Sequence, residues 1–152
     1  MIQRVRNASV STEGKVTGSI DFGLLVYLGV SGTDTEKDAE WMAEKTVNLR
    51  IFQDEDGKMN LSLLDIINAE RQKKTGVLSV SQFTLLADAR KGRRPYFGDG
   101  ADPIKAKYLY EYFIQKIKDP GVVSEAGVFQ AHMDVTYTND GPVTILLDTK
   151  EK

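Results

Sequence analysis

The side chains of this sequence that could do chemistry sit in four short stretches, and two common kinds of chemistry are absent from them. There is no cysteine, which removes thiol nucleophiles, disulfides and Cys-ligated zinc. There is one histidine, His132, so multi-histidine metal sites go as well. Alternation puts Ala131, Met133, Val135 and Tyr137 on one face of a strand, and His132, Asp134, Thr136 and Thr138 on the other. That pattern points the imidazole to solvent, and without it no Ser-His-Asp triad can be assembled.

The second stretch reads Ser79-Val80-Ser81-Gln82-Phe83-Thr84-Leu85-Leu86. A buried strand seldom carries so many hydroxyls beside an amide, because each must find a hydrogen-bond partner or cost free energy. Two readings stay open: a strand end whose polar groups satisfy nearby backbone, or a site that holds a substrate and stabilises an oxyanion. No base follows the hydroxyls in sequence, so they are poor nucleophiles. The third stretch sets Arg90, Lys91, Arg93 and Arg94 beside Tyr96 and Phe97. Cations interleaved with aromatics suit phosphate contact and base stacking; a solvated loop is the plain alternative. The fourth, Asn139-Asp140-Gly141-Pro142-Val143-Thr144, looks like a hairpin turn, which Asp-Gly favours. Pro142 spoils that turn because it cannot donate to the ladder. Taken alone, the Gly141–Pro142 bond is expected to be trans.

These groups need a scaffold. Ile2 to Val10 reads as a strand, Thr12 to Lys15 as a turn, and Val16 onward as its partner. Phe22 to Val30 is a nearly continuous apolar run, as in a strand buried on both faces. Thr33 and Glu36 have capping-box spacing, and Ala39, Met42, Ala43, Thr46 and Val47 follow at helical spacing. Leu49 and Ile51 alternate as in a strand, Asp54 to Gly57 is a turn, and a short strand falls near Met59–Leu63. Gly76 to Leu86 reads as one internal strand. Asp102 before Pro103 opens a second helix, whose buried stripe is Ala106, Leu109, Phe113 and Ile117. Ala131 to Thr138 and Val143 to Thr149 read as two strands around the Gly-Pro turn. The sum is an α+β fold, a single domain over residues 1–152. Its mixed or antiparallel sheet closes into a barrel-like core with two main helices.

Composition agrees with one globular unit: 152 residues, 41% hydrophobic and 28% charged. Lys and Arg number 20 against 22 Asp and Glu, a formal net charge of -2. A strongly basic nucleic-acid module is thereby excluded, though a local basic patch is not. No apolar run approaches the ~20 residues of a membrane span, and no export signal is visible. A soluble, cytoplasmic protein is expected, with no metal and no cofactor.

Ser81-Gln82-Phe83-Thr84 and Asn139-Asp140-Gly141-Pro142-Val143-Thr144 together resemble the D-aminoacyl-tRNA deacylases. Ile2-Gln3-Arg4-Val5, Gly23-Leu24-Leu25-Val26, Gly57-Lys58-Met59-Asn60-Leu61, Arg94-Pro95-Tyr96-Phe97 and Gly127-Val128-Phe129 extend the resemblance end to end. It implies hydrolysis of the ester between a D-amino acid and the 3′-terminal adenosine of tRNA, by a homodimer whose active sites are completed in trans. Ser81, Gln82, Phe83 and Thr84 would form the catalytic strand. Ala101, Phe129 and Met133 would lie near the adenosine. A cis Gly141–Pro142 pair would enter the partner's site and reject L-amino acids, while glycyl-tRNA, with no side chain to clash, would pass as a side substrate. Activation would come from the 2′-hydroxyl of the terminal ribose, with no metal. Arg90, Lys91, Arg93 and Arg94 would contact the RNA; neither DNA nor a membrane is an expected partner. Gln130 departs from the pattern, since a glycine is common there, and its side chain would narrow the pocket. Three rivals share parts of this reading: a sibling family that edits an L-amino acid, a non-catalytic RNA-binding barrel and a small-molecule esterase.

Overall fold

A computed structural model describes residues 1–69 and 74–151. The organising element is β1 (Ile2–Thr12), which hydrogen-bonds along both edges. One edge pairs antiparallel with β2 (Lys15–Ile20) at its far end and with β3 (Phe22–Leu28) at its start. The other edge pairs antiparallel with the last strand, β8 (Asp134–Ile145). β3 continues in parallel to β6 (Thr75–Ser81), and β6 in parallel to β7 (Val123–Ala126). Parallel neighbours require crossovers. The first passes through α1 (Glu36–Asn48), the β4–β5 hairpin (Phe52–Gln53 and Met59–Leu61) and α2 (Leu63–Ala69). The second is α3 (Pro103–Lys118).

The sheet has six strands and curls until β2 approaches β7. Gly18 permits that closeness: a Cβ there would lie 2.9 Å from the carbonyl oxygen of Ala126. This mixed, nearly closed sheet gives two cores. Val5, Val10, Leu25, Leu78 and Val80 fill the inside of the curl. Leu24, Val26 and Val77 face the other way, against Val47 of α1 and Phe113 and Ile117 of α3. Burying each such side chain contributes about 1.5–3 kcal/mol. The apolar run of β3 is therefore buried on both faces, as the sequence suggests.

Several sequence expectations change. The strand expected from Gly76 to Leu86 stops at Ser81, and Phe83–Leu86 form a 3-10 turn. β3 ends at Leu28, whose carbonyl takes the Gln82 N–H at 2.9 Å, so no ladder remains to extend. The two strands expected around the Gly-Pro turn are one strand that pairs with β1 in a single direction. Gln3 faces Thr144 and Val5 faces Asn139, so Asp140 to Val143 are looped out opposite Arg4. That strand starts at Asp134, which leaves His132 before it and exposed. The α1 cap sits two residues later than expected: the Asp38 carboxylate accepts from Thr35 N at 2.9 Å and from Thr35 Oγ1 at 2.8 Å. The short strand expected near Met59–Leu63 stops at Leu61, and Leu63 opens a third helix, α2. The α3 start stands as read: Asp102 Oδ1 accepts from Ile104 N and Lys105 N at 3.0 and 3.1 Å, with Pro103 in the first turn. Among the described residues no helix is long and apolar enough to cross a membrane.

Candidate active site

Where β3 and β6 end side by side, the chain leaves a cavity of about 830 Å³. Val80, Ser81, Gln82 and Phe83 form one wall, because the parallel register sets Ser81 beside Leu28 and the chain then turns away. The loop before α3 forms a second wall. It is pinned by Ala101 N–H donating to Val30 O at 2.9 Å and by a bridge between Ser31 and Gly100. The segment from Phe129 to Met133 forms the third. It is tied down through Gly127 N–H to Ser79 O at 2.9 Å, and the same carbonyl accepts the Tyr110 hydroxyl at 2.8 Å. Tyr110 packs its ring 6.0 Å from that of Phe129, and burial pushes its phenol well above the ordinary range. Met133 packs directly over Gly127; a Cβ there would stand 2.5 Å from Met133 Sδ, so the thioether would have to shift.

Ser81, Gln82, Phe83, Ala101, Phe129 and Met133 thus share one cavity. Thr84 does not line it. It is exposed in the 3-10 turn, and its hydroxyl accepts from Gln82 Nε2 at 2.5 Å. Thr84 therefore orients the Gln82 amide. The turn also leaves the Phe83 and Thr84 N–H groups outside its own hydrogen bonds, because its first donor is Leu85, to Gln82 O at 3.4 Å. The Phe83 N–H, on the cavity wall and without a hydrogen-bond partner among the described residues, can meet a developing oxyanion. His132 is exposed on the cavity wall, and no hydrogen bond joins it to Ser81 or Thr84 among the described residues. The cavity holds hydroxyl, amide and ring surface, and among the described residues no side-chain base is bonded to a nucleophile there. Among the described residues no cluster of three His, Asp or Glu side chains is placed to hold a metal ion.

The basic loop adjoins the cavity through Phe97, whose ring meets Phe83 edge-on at 5.4 Å. Its base is closed by two backbone bonds of 2.8 Å between Asp88 and Tyr96. Arg90 folds onto Asp88 with a bidentate pair at 2.8 and 2.7 Å, which holds the Asp88 carboxyl below its usual range. Lys91, Arg93 and Arg94 are exposed and form no ion pair among the described residues.

Gly141 and Pro142 do not line this cavity. Both are exposed, and the bond between them is cis. Their loop is anchored by a pair that motif reading missed: Asp140 Oδ2 lies 3.0 Å from Arg4 Nε, and Asp140 Oδ1 accepts from Arg6 Nε at 2.8 Å. The available signal was an arginine at position 4 between the apolar Ile2 and Val5 of the first strand. Gln130, on the cavity rim, holds φ 63, a conformation that glycine takes most easily.

The profile of the family described as D-Tyr-tRNA(Tyr) deacylase matches residues 1–148 of the chain. A protein of Kosmotoga olearia named D-aminoacyl-tRNA deacylase is 55% identical over 152 residues, covering 100% of this chain and 97% of its own. One of Koribacter versatilis with the same name is 54% identical with the same coverage. Among solved structures, one titled c-Myc DNA Unwinding Element Binding Protein superposes with a TM-score of 0.85 at 38% identity, covering 97% of this chain and 96% of its own. Another, titled as a probable eukaryotic D-amino acid tRNA deacylase, gives a TM-score of 0.73 at 14% identity over 92% of each chain, a likeness of fold alone.

Proposed function

Because the chain belongs to the D-Tyr-tRNA(Tyr) deacylase family, we infer that it hydrolyses the ester linking a D-amino acid to the 3′ end of tRNA. The observation that carries this reading is the convergence of Ser81, Gln82 and Phe83 with Ala101, Phe129 and Met133 on one cavity. Ring and thioether surface suits the terminal adenosine. Water adds to the ester carbonyl, the bond to the ribose oxygen breaks, and that oxygen leaves as a hydroxyl with a proton from the water. The protein orients the ester and stabilises the oxyanion through the Phe83 N–H group on the cavity wall. The neighbouring 2′-hydroxyl of the ribose supplies the activation that no side chain here is placed to give.

Discrimination falls to Gly141 and Pro142, acting on the cavity of a second subunit. Support comes from their place: exposed, outside their own cavity and held to the sheet by Asp140. Their carbonyls would take the α-amino group and leave no room for an L side chain, so glycyl-tRNA remains a side substrate. Rejection of this kind needs a rigid clash, and a fixed loop supplies one. Lys91, Arg93 and Arg94, with a smaller share from Arg90, would hold the RNA backbone. The working place of such an enzyme is the cytoplasm.

The test is deacylation of matched D- and L-tyrosyl-tRNA, with D-tyrosine ethyl ester and a tRNA ending in 2′-deoxyadenosine as controls. Rapid hydrolysis of the D-charged tRNA alone is expected. Equal rates on D and L would remove the chiral reading, and full activity on the deoxy substrate would remove the 2′-hydroxyl role. Light scattering of a fully active monomer at micromolar concentration would remove the shared site.

A further inference from the structure

Among the described residues only two that are not glycine hold a left-handed backbone, Glu13 at φ 52 and Gln130 at φ 63. Glu13 shares the tip of the β1–β2 hairpin with Gly14 at φ 75, where a two-residue turn needs φ above zero at both positions. Gln130 is the third residue of a turn closed by Ala131 N–H to Val128 O at 3.2 Å. A positive φ there favours glycine or asparagine, so glutamine is kept against backbone preference. Gln130 borders the cavity next to Phe129 and is exposed there. The Gln82 amide is engaged by Thr84, whereas the Gln130 amide has no hydrogen-bond partner among the described residues.

We propose that Gln130 is a specificity residue that reads the base of the terminal nucleotide. A carboxamide presents one donor and one acceptor side by side, which matches N7 and the 6-amino group of adenine. Phe129 offers the adjoining ring surface, and Met133 the thioether. From its exposed place on the rim the Gln130 amide would reach the edge of a base seated in the cavity. This assignment rests on the reading of the cavity as the site of the tRNA 3′ end.

The experiment compares D-tyrosyl-tRNA ending in adenosine with the same tRNA ending in inosine, in which a carbonyl replaces the 6-amino group. The wild-type protein is expected to lose about tenfold in kcat/KM on inosine, the scale of one lost contact in a bidentate pair. Gln130→Gly, which also relieves the backbone, should treat the two alike, with its deficit on adenosine in KM and not in kcat. Glu13→Gly is the matched control away from the cavity and should keep the tenfold preference. Equal rates on the two tRNAs with the wild-type protein, or an undiminished preference in Gln130→Gly, would overturn the assignment. If the wild-type protein left D-tyrosyl-tRNA ending in adenosine intact, the deacylase reading would fall, and this assignment with it.

Discussion

Arg4 and Asp140 are joined across the gap in the β1–β8 register. Arg4 Nε stands 3.0 Å from Asp140 Oδ2, an ion pair by distance, while Arg4 Nη1 donates to Ile51 O at 2.5 Å. The Arg4 side chain is 7% exposed and that of Asp140 18%. A nearly buried guanidinium therefore ties the looped-out Gly141–Pro142 segment to the first strand and to the chain after α1.

Removing one partner leaves a charge without its counter-ion in a poorly solvated place. Asp140→Ala is expected to cost about 3 kcal/mol and to lower turnover of D-aminoacyl-tRNA by loosening the loop. Arg6→Ala removes a contact whose arginine is 69% exposed and should cost less than about 1 kcal/mol. Urea midpoints measured alongside deacylation check both. Equal costs for the two variants would show that Arg4 does not need the pair.

Two glycines separate the effect of space from that of backbone angle. A Cβ on Gly76 would lie 2.1 Å from the Val123 carbonyl oxygen, whereas Gly57, at φ 76, has nothing within 4 Å. Gly76→Ala must push β6 and β7 apart and should cost at least about 3 kcal/mol. Gly57→Ala pays only for its angle, about 1 kcal/mol. Thermal unfolding of both variants decides, and a Gly76→Ala protein as stable as Gly57→Ala would contradict the close strand approach.

Thr84 accepts a hydrogen bond from the Gln82 amide, which borders the cavity. Thr84→Ala should lower kcat about tenfold, the scale of one net hydrogen bond of about 1.4 kcal/mol, and leave a measurable rate. Thr84→Ser, which keeps the acceptor, should recover most of it. An acyl-enzyme trapped on Thr84 during turnover would make it the nucleophile instead.

The basic loop should show itself in salt dependence. Lys91, Arg93 and Arg94 have no carboxylate partner among the described residues, so replacing all three with glutamine should flatten the slope of log affinity against log salt by about 2–3. Arg90, already paired with Asp88, should contribute less than about 1 on the same scale. Binding of D- and L-charged tRNA should weaken alike. An unchanged slope in the triple variant would place the RNA contact elsewhere.

Alkaline stability carries a further signature. Burial, followed by the neighbouring Tyr137, pushes the Tyr27 phenol up to about 12. A raised folded-state value means that the folded chain holds this proton longer than the unfolded chain, whose tyrosines titrate near 10. The stability that Tyr27 contributes is whole below about pH 10 and is lost as pH rises towards 12. Tyr27→Phe should flatten the fall in urea midpoint across that window, and an unaltered fall would assign it to other groups.

Local chemistry made much of this protein legible before folding was considered. The apolar run of β3, the Asp102–Pro103 helix start and the polar stretch at Ser81-Gln82 depend on residue type and short-range spacing, so their letters suffice. The absence of cysteine and the single histidine likewise narrowed the catalytic options at once. Tertiary structure decided where each local pattern stops. Phe83 and Leu85 continue an alternating pattern in letters, yet they leave the sheet because β3 offers no backbone partner beyond Leu28. Asn139 to Pro142 read as a turn between two strands, yet β1 binds both flanks in one direction and expels Asp140 to Val143 as a loop. Ala101 and Phe129 share a cavity with Ser81 only through bonds to Val30 and Ser79 that join distant stretches of chain. Strand register and ladder length are properties of pairs of segments, and a single segment does not encode its partner's end.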